Sequence, residues 1–197
     1  KHSIDSFREI QGDIKSLYAT DLLPRLLRVQ PASAQAETAH KMLSGWDGTM
    51  DRLRPEPLIY NAWMRELGKL IYADELGDLF SSYQDYRSVF ISNVLTGGQD
   101  HWCDDINTTA KENCDSQIST ALAAAMADLE KRTGNRDAAT WRWGEMHFAH
   151  SDHNPFTHVG GLSDVFDVSI PNGGDGFTVN VAKHKISNED HPFRQFH

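Results

Sequence analysis

Cysteine is scarce: only Cys103 and Cys114 occur in 197 residues. Both stand in a polar stretch rich in Asp and Asn, whereas buried free thiols favour apolar surroundings. A disulfide between them is expected, and with it an oxidising compartment, periplasmic or secreted. No apolar run approaches the roughly 20 residues that a bilayer-spanning helix needs, so a membrane span is not expected. Basic residues are outnumbered, with 19 Lys and Arg against 28 Asp and Glu and a net charge of -9. That balance argues against a nucleic-acid backbone or an anionic membrane surface as partner. Common reactive arrangements are missing too. There is no Gly-x-Ser-x-Gly elbow and no Cys–His pairing beyond the two bridged cysteines. Gly173-Gly174-Asp175-Gly176 lacks the phosphate-loop Lys and does not open a helix. The chain starts at Lys1 without Met or a signal-peptide pattern and stops at His197 after a polar run. An internal fragment, or one chain of a processed precursor, is the expectation.

What is present reads first as helix. Hydrophobic residues make up 39% and charged residues 24%, ordinary for a soluble domain. Ile4, Phe7, Ile10, Ile14 and Leu17 recur at helical steps, with Ser3 as N-cap and Asp5 in the first turn. Pro24 is expected to kink or restart the helix and Pro31 to end the unit. A second helix is predicted over 34–43, stopping near Gly45. A third begins around Pro57 with Ile59, Trp63, Leu67 and Leu70 as its stripe. A shorter one over 85–94 places Val89, Phe90 and Val94 on one side, before Gly97-Gly98. The longest is predicted over 109–132, with Ile118, Leu122, Met126 and Leu129 inward and Gly134 as C-cap. From Trp141 onward helical periodicity stops. Strands are predicted over 166–170 and 177–181, joined by the turn 171–176. The fold class expected is mainly α with a C-terminal β hairpin: a helical body over 1–140, then a loop and β segment over 141–197.

The densest polar cluster runs from Trp141 to His158, with four histidines and two carboxylates. Imidazole and carboxylate donors suit zinc, and His147, His150 and His153 are spaced by three. However, no Glu is placed as in the helical His-Glu-x-x-His motif, and nearby Gly and Pro argue against one helix presenting all three. The other reading is a hydrogen-bonded layer near an active site, in which Trp141 and Trp143 need acceptors for their indole N–H groups and Glu145 and His147 orient such bonds. His150, His153 and His158 then read as satisfied polar groups that lock a loop.

Several segments in order resemble the β chain of the penicillin acylase family of N-terminal-nucleophile hydrolases. They are Ile10-Gln11-Gly12-Asp13, Leu43-Ser44-Gly45-Trp46-Asp47-Gly48, Ile59-Tyr60-Asn61-Ala62-Trp63 and Trp102-Cys103-Asp104-Asp105 with Glu112-Asn113-Cys114. Trp141-Arg142-Trp143-Gly144-Glu145-Met146-His147 and Gly174-Asp175-Gly176-Phe177-Thr178-Val179-Asn180 complete the set. The resemblance implies an αββα sandwich made by self-cleavage of a precursor. It also implies hydrolysis of the amide bond of small acylated substrates, β-lactam antibiotics or N-acyl homoserine lactones. The nucleophile of such enzymes is the Ser that opens the β chain. Its α-amine acts as base near neutrality, and an Asn with a backbone N–H forms the oxyanion hole. These groups, and the calcium ligands of some members, lie upstream of the Gln-x-Asp helix, so none is carried over to this chain. Ser3 is an N-cap, not the nucleophile. Glu145 and His147 match a family motif and are the near-site candidates; Asp13, Trp46 and Asp47 match as structural residues. No cofactor or metal is expected. The implied partners are the remainder of the same precursor (the α chain and the rest of the β chain) and the substrate, and this chain alone is expected to be inactive. Two alternatives remain: a non-catalytic domain that self-associates through strands near Phe177, and a zinc hydrolase built on His147, His150 and His153.

Overall fold

A computed structural model describes residues 2–84, 87–184 and 190–195. The first helix, α1 (Ile4–Gln11), opens on a capping box in which Ser3 and Ser6 satisfy each other's backbone N–H groups. It is shorter than the periodicity predicts. Gly12 caps it, Asp13 accepts from the Lys15 N–H, and Lys15 bridges to Thr49 before Ser16 caps α2 (Leu17–Leu26). The apolar stripe therefore splits, and Ile4 (74% exposed), Phe7 (54%) and Ile10 (45%) face outward. Pro24 sits in the last turn of α2, and the unit ends at Leu26, ahead of Pro31.

The helix α3 (Ala34–Ser44) runs from its Ser33 cap to Gly45, as predicted. The 21-residue α4 (Glu56–Leu76) is the longest element and the centre of the core. Ile59, Trp63 and Leu67 are fully buried on it, whereas Leu70 is only partly covered. After a short α5 (Phe80–Tyr83) comes α6 (Ser88–Thr96), whose buried residues are Ile91, Val94 and Leu95. Val89 points outward, contrary to the predicted face, and Asp85 lies outside the described residues. The helix α7 (Cys114–Thr133) begins later than predicted. The Asn113 side chain and Ser116 form its N-terminal capping box, and the residues before it form a loop. Ile118, Leu122, Met126 and Leu129 are buried as expected, and Gly134 closes the helix at φ 65°.

Helices α4 and α7 pack along their lengths, with α3 against both. The Trp63 indole donates to the Ile118 carbonyl at 2.9 Å. Arg65, buried between the two helices, pairs with Glu66 at 2.6 Å and reaches Asp128 at 3.6 Å. Such a charge is tolerated because two half-buried carboxylates pair with it. The expected disulfide is present: Cys103 is bonded to Cys114, and Gln117 fixes the Cys103 carbonyl at 3.1 Å.

The C-terminal third holds two short helices, α8 (Trp143–Met146) and α9 (Ser163–Phe166), and two strands. A β pair forms, but between other partners than predicted. Strand β1 (Phe148–Ser151) runs antiparallel to β2 (Val168–Pro171), with Phe148 opposite Pro171 and Ser151 opposite Val168. Residues 177–181 form no strand. There the Thr178 hydroxyl accepts from the Asp175 N–H and donates to the Asn180 carbonyl, and Asp175 accepts from the Phe177 N–H. Side chains thus satisfy the groups that a ladder would have paired.

Candidate functional site

The motif around Glu145 and His147 is docked by its backbone. The Trp143 N–H donates to the Arg54 carbonyl at 2.9 Å and the Gly144 N–H to the Arg52 carbonyl at 2.8 Å. The Trp143 indole donates to the Gly174 carbonyl at 3.0 Å. Three stretches distant in sequence, 48–54, 143–147 and 172–182, thereby meet. Asn180 N–H to the Asp13 carbonyl (2.8 Å) and Gly174 N–H to the Met50 carbonyl (2.9 Å) close the junction.

His147 is fully buried and stacks on Trp143 with ring centroids 4.2 Å apart. Its Nδ1 lies 2.6 Å from the Phe193 carbonyl. A carbonyl only accepts, so Nδ1 carries the proton and Nε2 is left as the acceptor. Nε2 has no partner among the described residues. Burial pulls the imidazole down to about 4, against the opposing pull of the Phe193 carbonyl. His147 is therefore neutral at pH 7 and closed off from solvent. That arrangement suits a packing and hydrogen-bonding role in the layer beneath a surface.

Glu145, within α8 and two residues ahead of His147, is exposed. It lines a cleft of about 550 Å³ with Arg52, Leu53, Arg142, Gly144, Phe148, Ser169 and Pro171. Arg142 belongs to the motif of Glu145 and His147, whereas Arg52 lies outside every motif of the resemblance.

The structure does not gather the three proposed zinc ligands. His147 is committed to Phe193, and the His153 ring stacks on Phe156 at 5.0 Å. His150 Nε2 lies 2.8 Å from Asp152. Among the described residues the donor atoms that do converge, within 4.8 Å of one another, belong to His150, Asp152 and Asp167. Those atoms are already engaged. Asp167 accepts from the His153 N–H and the Thr157 hydroxyl, each at 2.8 Å, and Arg194 stands 3.8 Å from Asp152. The His153 N–H, first among its contacts, holds the Asp167 carboxyl below the usual range. These bonds lock the loop between β1 and β2.

The remaining motif residues close local turns. Trp46 donates to the Thr49 carbonyl at 2.9 Å, and Asp47 accepts from both the Thr49 N–H and hydroxyl at 3.0 Å, which keeps its carboxyl low. Asp175, assigned to a turn, is a buried carboxyl, and desolvation pushes it up to about 6. Neither Glu145 nor His147 is accompanied by a nucleophile with an adjacent base among the described residues. What the junction offers chemically is alignment of three backbone segments and a charged cleft.

The chain belongs to the penicillin amidase family, whose match extends over residues 1–197. Among individual relatives it is similar to the acyl-homoserine lactone acylase QuiP of Pseudomonas syringae pv. syringae (strain B728a), 27% identical over 173 residues. That match covers 83% of this chain and 20% of the relative. The acylase of the same name from Pseudomonas fluorescens (strain Pf0-1) is 28% identical over 172 residues, covering 83% and 20%. That from Pseudomonas aeruginosa (strain PAO1) is 28% identical over 137 residues, covering 66% and 16%. The chain thus spans about a fifth of the length of these curated relatives.

Proposed function

We propose that these residues are part of an amidohydrolase that cleaves the amide bond of small acylated substrates through a Ser acyl-enzyme. The family match over the whole chain carries this reading. The relatives' name, acyl-homoserine lactone acylase, makes N-acyl homoserine lactones the first substrates to test, with β-lactam antibiotics second. The reactive Ser, its α-amine base and the oxyanion Asn lie outside this chain, within an αββα sandwich completed by the rest of the precursor. This chain supplies the helical body and the junction under the Glu145 cleft. The disulfide supports a periplasmic or secreted location, since such bonds persist in oxidising compartments. The test is product release from an N-acyl homoserine lactone by the complete protein, before and after Ala replaces the Ser that opens its β chain. Turnover lost with that Ser supports the reading; turnover surviving it refutes the acyl-enzyme.

A further inference from the structure

We infer that the cleft at the α8–hairpin junction is a binding site for a small amphipathic zwitterion, of the class of α-amino acids with an apolar side chain. The proposal is independent of the amidase reading. Three observations carry it. First, opposite charges line one cleft without neutralising each other. Arg52, Arg142 and Glu145 all border it, yet the Glu145 carboxylate makes no ion pair within 4.0 Å among the described residues. A ligand bearing both an ammonium and a carboxylate bridges that gap. Second, both guanidinium groups are already held. Arg142 Nη1 donates to the Ala139 carbonyl at 2.9 Å and the Trp141 carbonyl at 2.7 Å. Arg52 Nη1 donates to the Pro171 carbonyl at 3.3 Å. One edge of each planar fork is anchored on backbone, and the other donors have no partner among the described residues. Anchoring lowers the side-chain entropy lost when a carboxylate binds.

Third, the rest of the wall is mostly apolar: Leu53, Phe148 and Pro171, with the Ser169 hydroxyl as its one further polar group. Gly144 forms the floor because a Cβ there would stand 3.0 Å from the Cβ atoms of Arg52 and Pro171. A cleft of about 550 Å³ falls within the usual range for small-molecule sites. The net charge of -9 decides between ligand types. It repels a simple anion at long range but leaves a zwitterion unaffected.

The experiment is calorimetric titration of the purified protein with L-phenylalanine, N-acetyl-L-phenylalanine and L-phenylalanine amide. Saturable binding of L-phenylalanine is expected, weakened about tenfold or more when either charge is blocked. Glu145→Gln should remove the discrimination against the N-acetyl compound. The double replacement Arg52→Met with Arg142→Met should remove that against the amide. Arg52 and Glu145 are exposed and Arg142 is half-buried, and an unchanged thermal midpoint confirms that each variant is folded. Absence of saturable binding, equal affinity for the blocked compounds, or variants that leave the discrimination intact would each overturn the proposal.

Discussion

His147 and Asp175 are buried titratable groups on one junction, and burial moves them in opposite directions. His147 is pulled down from 6.5 to about 4. Between those values the unfolded chain binds a proton that the folded chain does not, so stability falls as pH drops through the window. At about 1.4 kcal/mol per unit, the loss is about 3 kcal/mol. Asp175 is pushed up from 3.8 to about 6, so there the folded chain holds the extra proton and stability falls as pH rises. The two slopes oppose each other between pH 4 and 6, and single variants expose them. His147→Phe should lose less stability than the unmodified protein on going from pH 6.5 to 4, and Asp175→Asn should gain relative to it from pH 4 to 6. Urea unfolding across that range reads both; parallel curves for all three proteins would show that neither group is buried as described. Gly174 is a further sensitive position. Its φ is 80°, and a Cβ there would stand 2.5 Å from the Asn180 carbonyl oxygen. Gly174→Ala is expected to destabilise by about 2 kcal/mol or more, measured the same way.

The α4–α7 pair holds the molecule together. Trp63→Ala removes both a fully buried ring and the donor to Ile118, and should cost about 3–5 kcal/mol. Losing the bridge between Cys103 and Cys114, by paired Ala replacement, should cost about 2–3 kcal/mol; chemical denaturation checks both. These elements were also the legible ones. Helix α3 announces itself by Ser33 and Gly45, and α7 by its four-residue stripe and Gly134. The cysteine pair was readable from the polarity around it. Of the strands, β2 was legible within the one expected over 166–170, and β1 was not. The sequence Phe148-Ala149-His150-Ser151 is too short to show alternation, and its partner lies across residues 152–167. In 177–181 the β-branched residues signalled a strand, but Thr178 and Asp175 bond locally instead. Glu145 and His147 were legible as a motif. Their environments were not, because the partner of His147 is Phe193, 46 residues away, and Arg52 reaches the cleft beside Glu145 from another segment.

Considered entire, the molecule is a helical body whose first helix turns Ile4, Phe7 and Ile10 outward and whose strand β2 is exposed along its length. Apolar surface of this kind on a chain spanning a fifth of its relatives fits our proposal that the precursor's remainder packs here. No described helix is long and apolar enough to cross a membrane. The most direct measurement is a pre-steady-state amide hydrolysis assay on residues 1–197 alone, beside the complete protein, with an N-acyl homoserine lactone. A scaffold whose reactive centre lies elsewhere gives no burst, while the complete protein releases about one equivalent of product ahead of steady turnover. A stoichiometric burst from residues 1–197 by themselves would contradict the account.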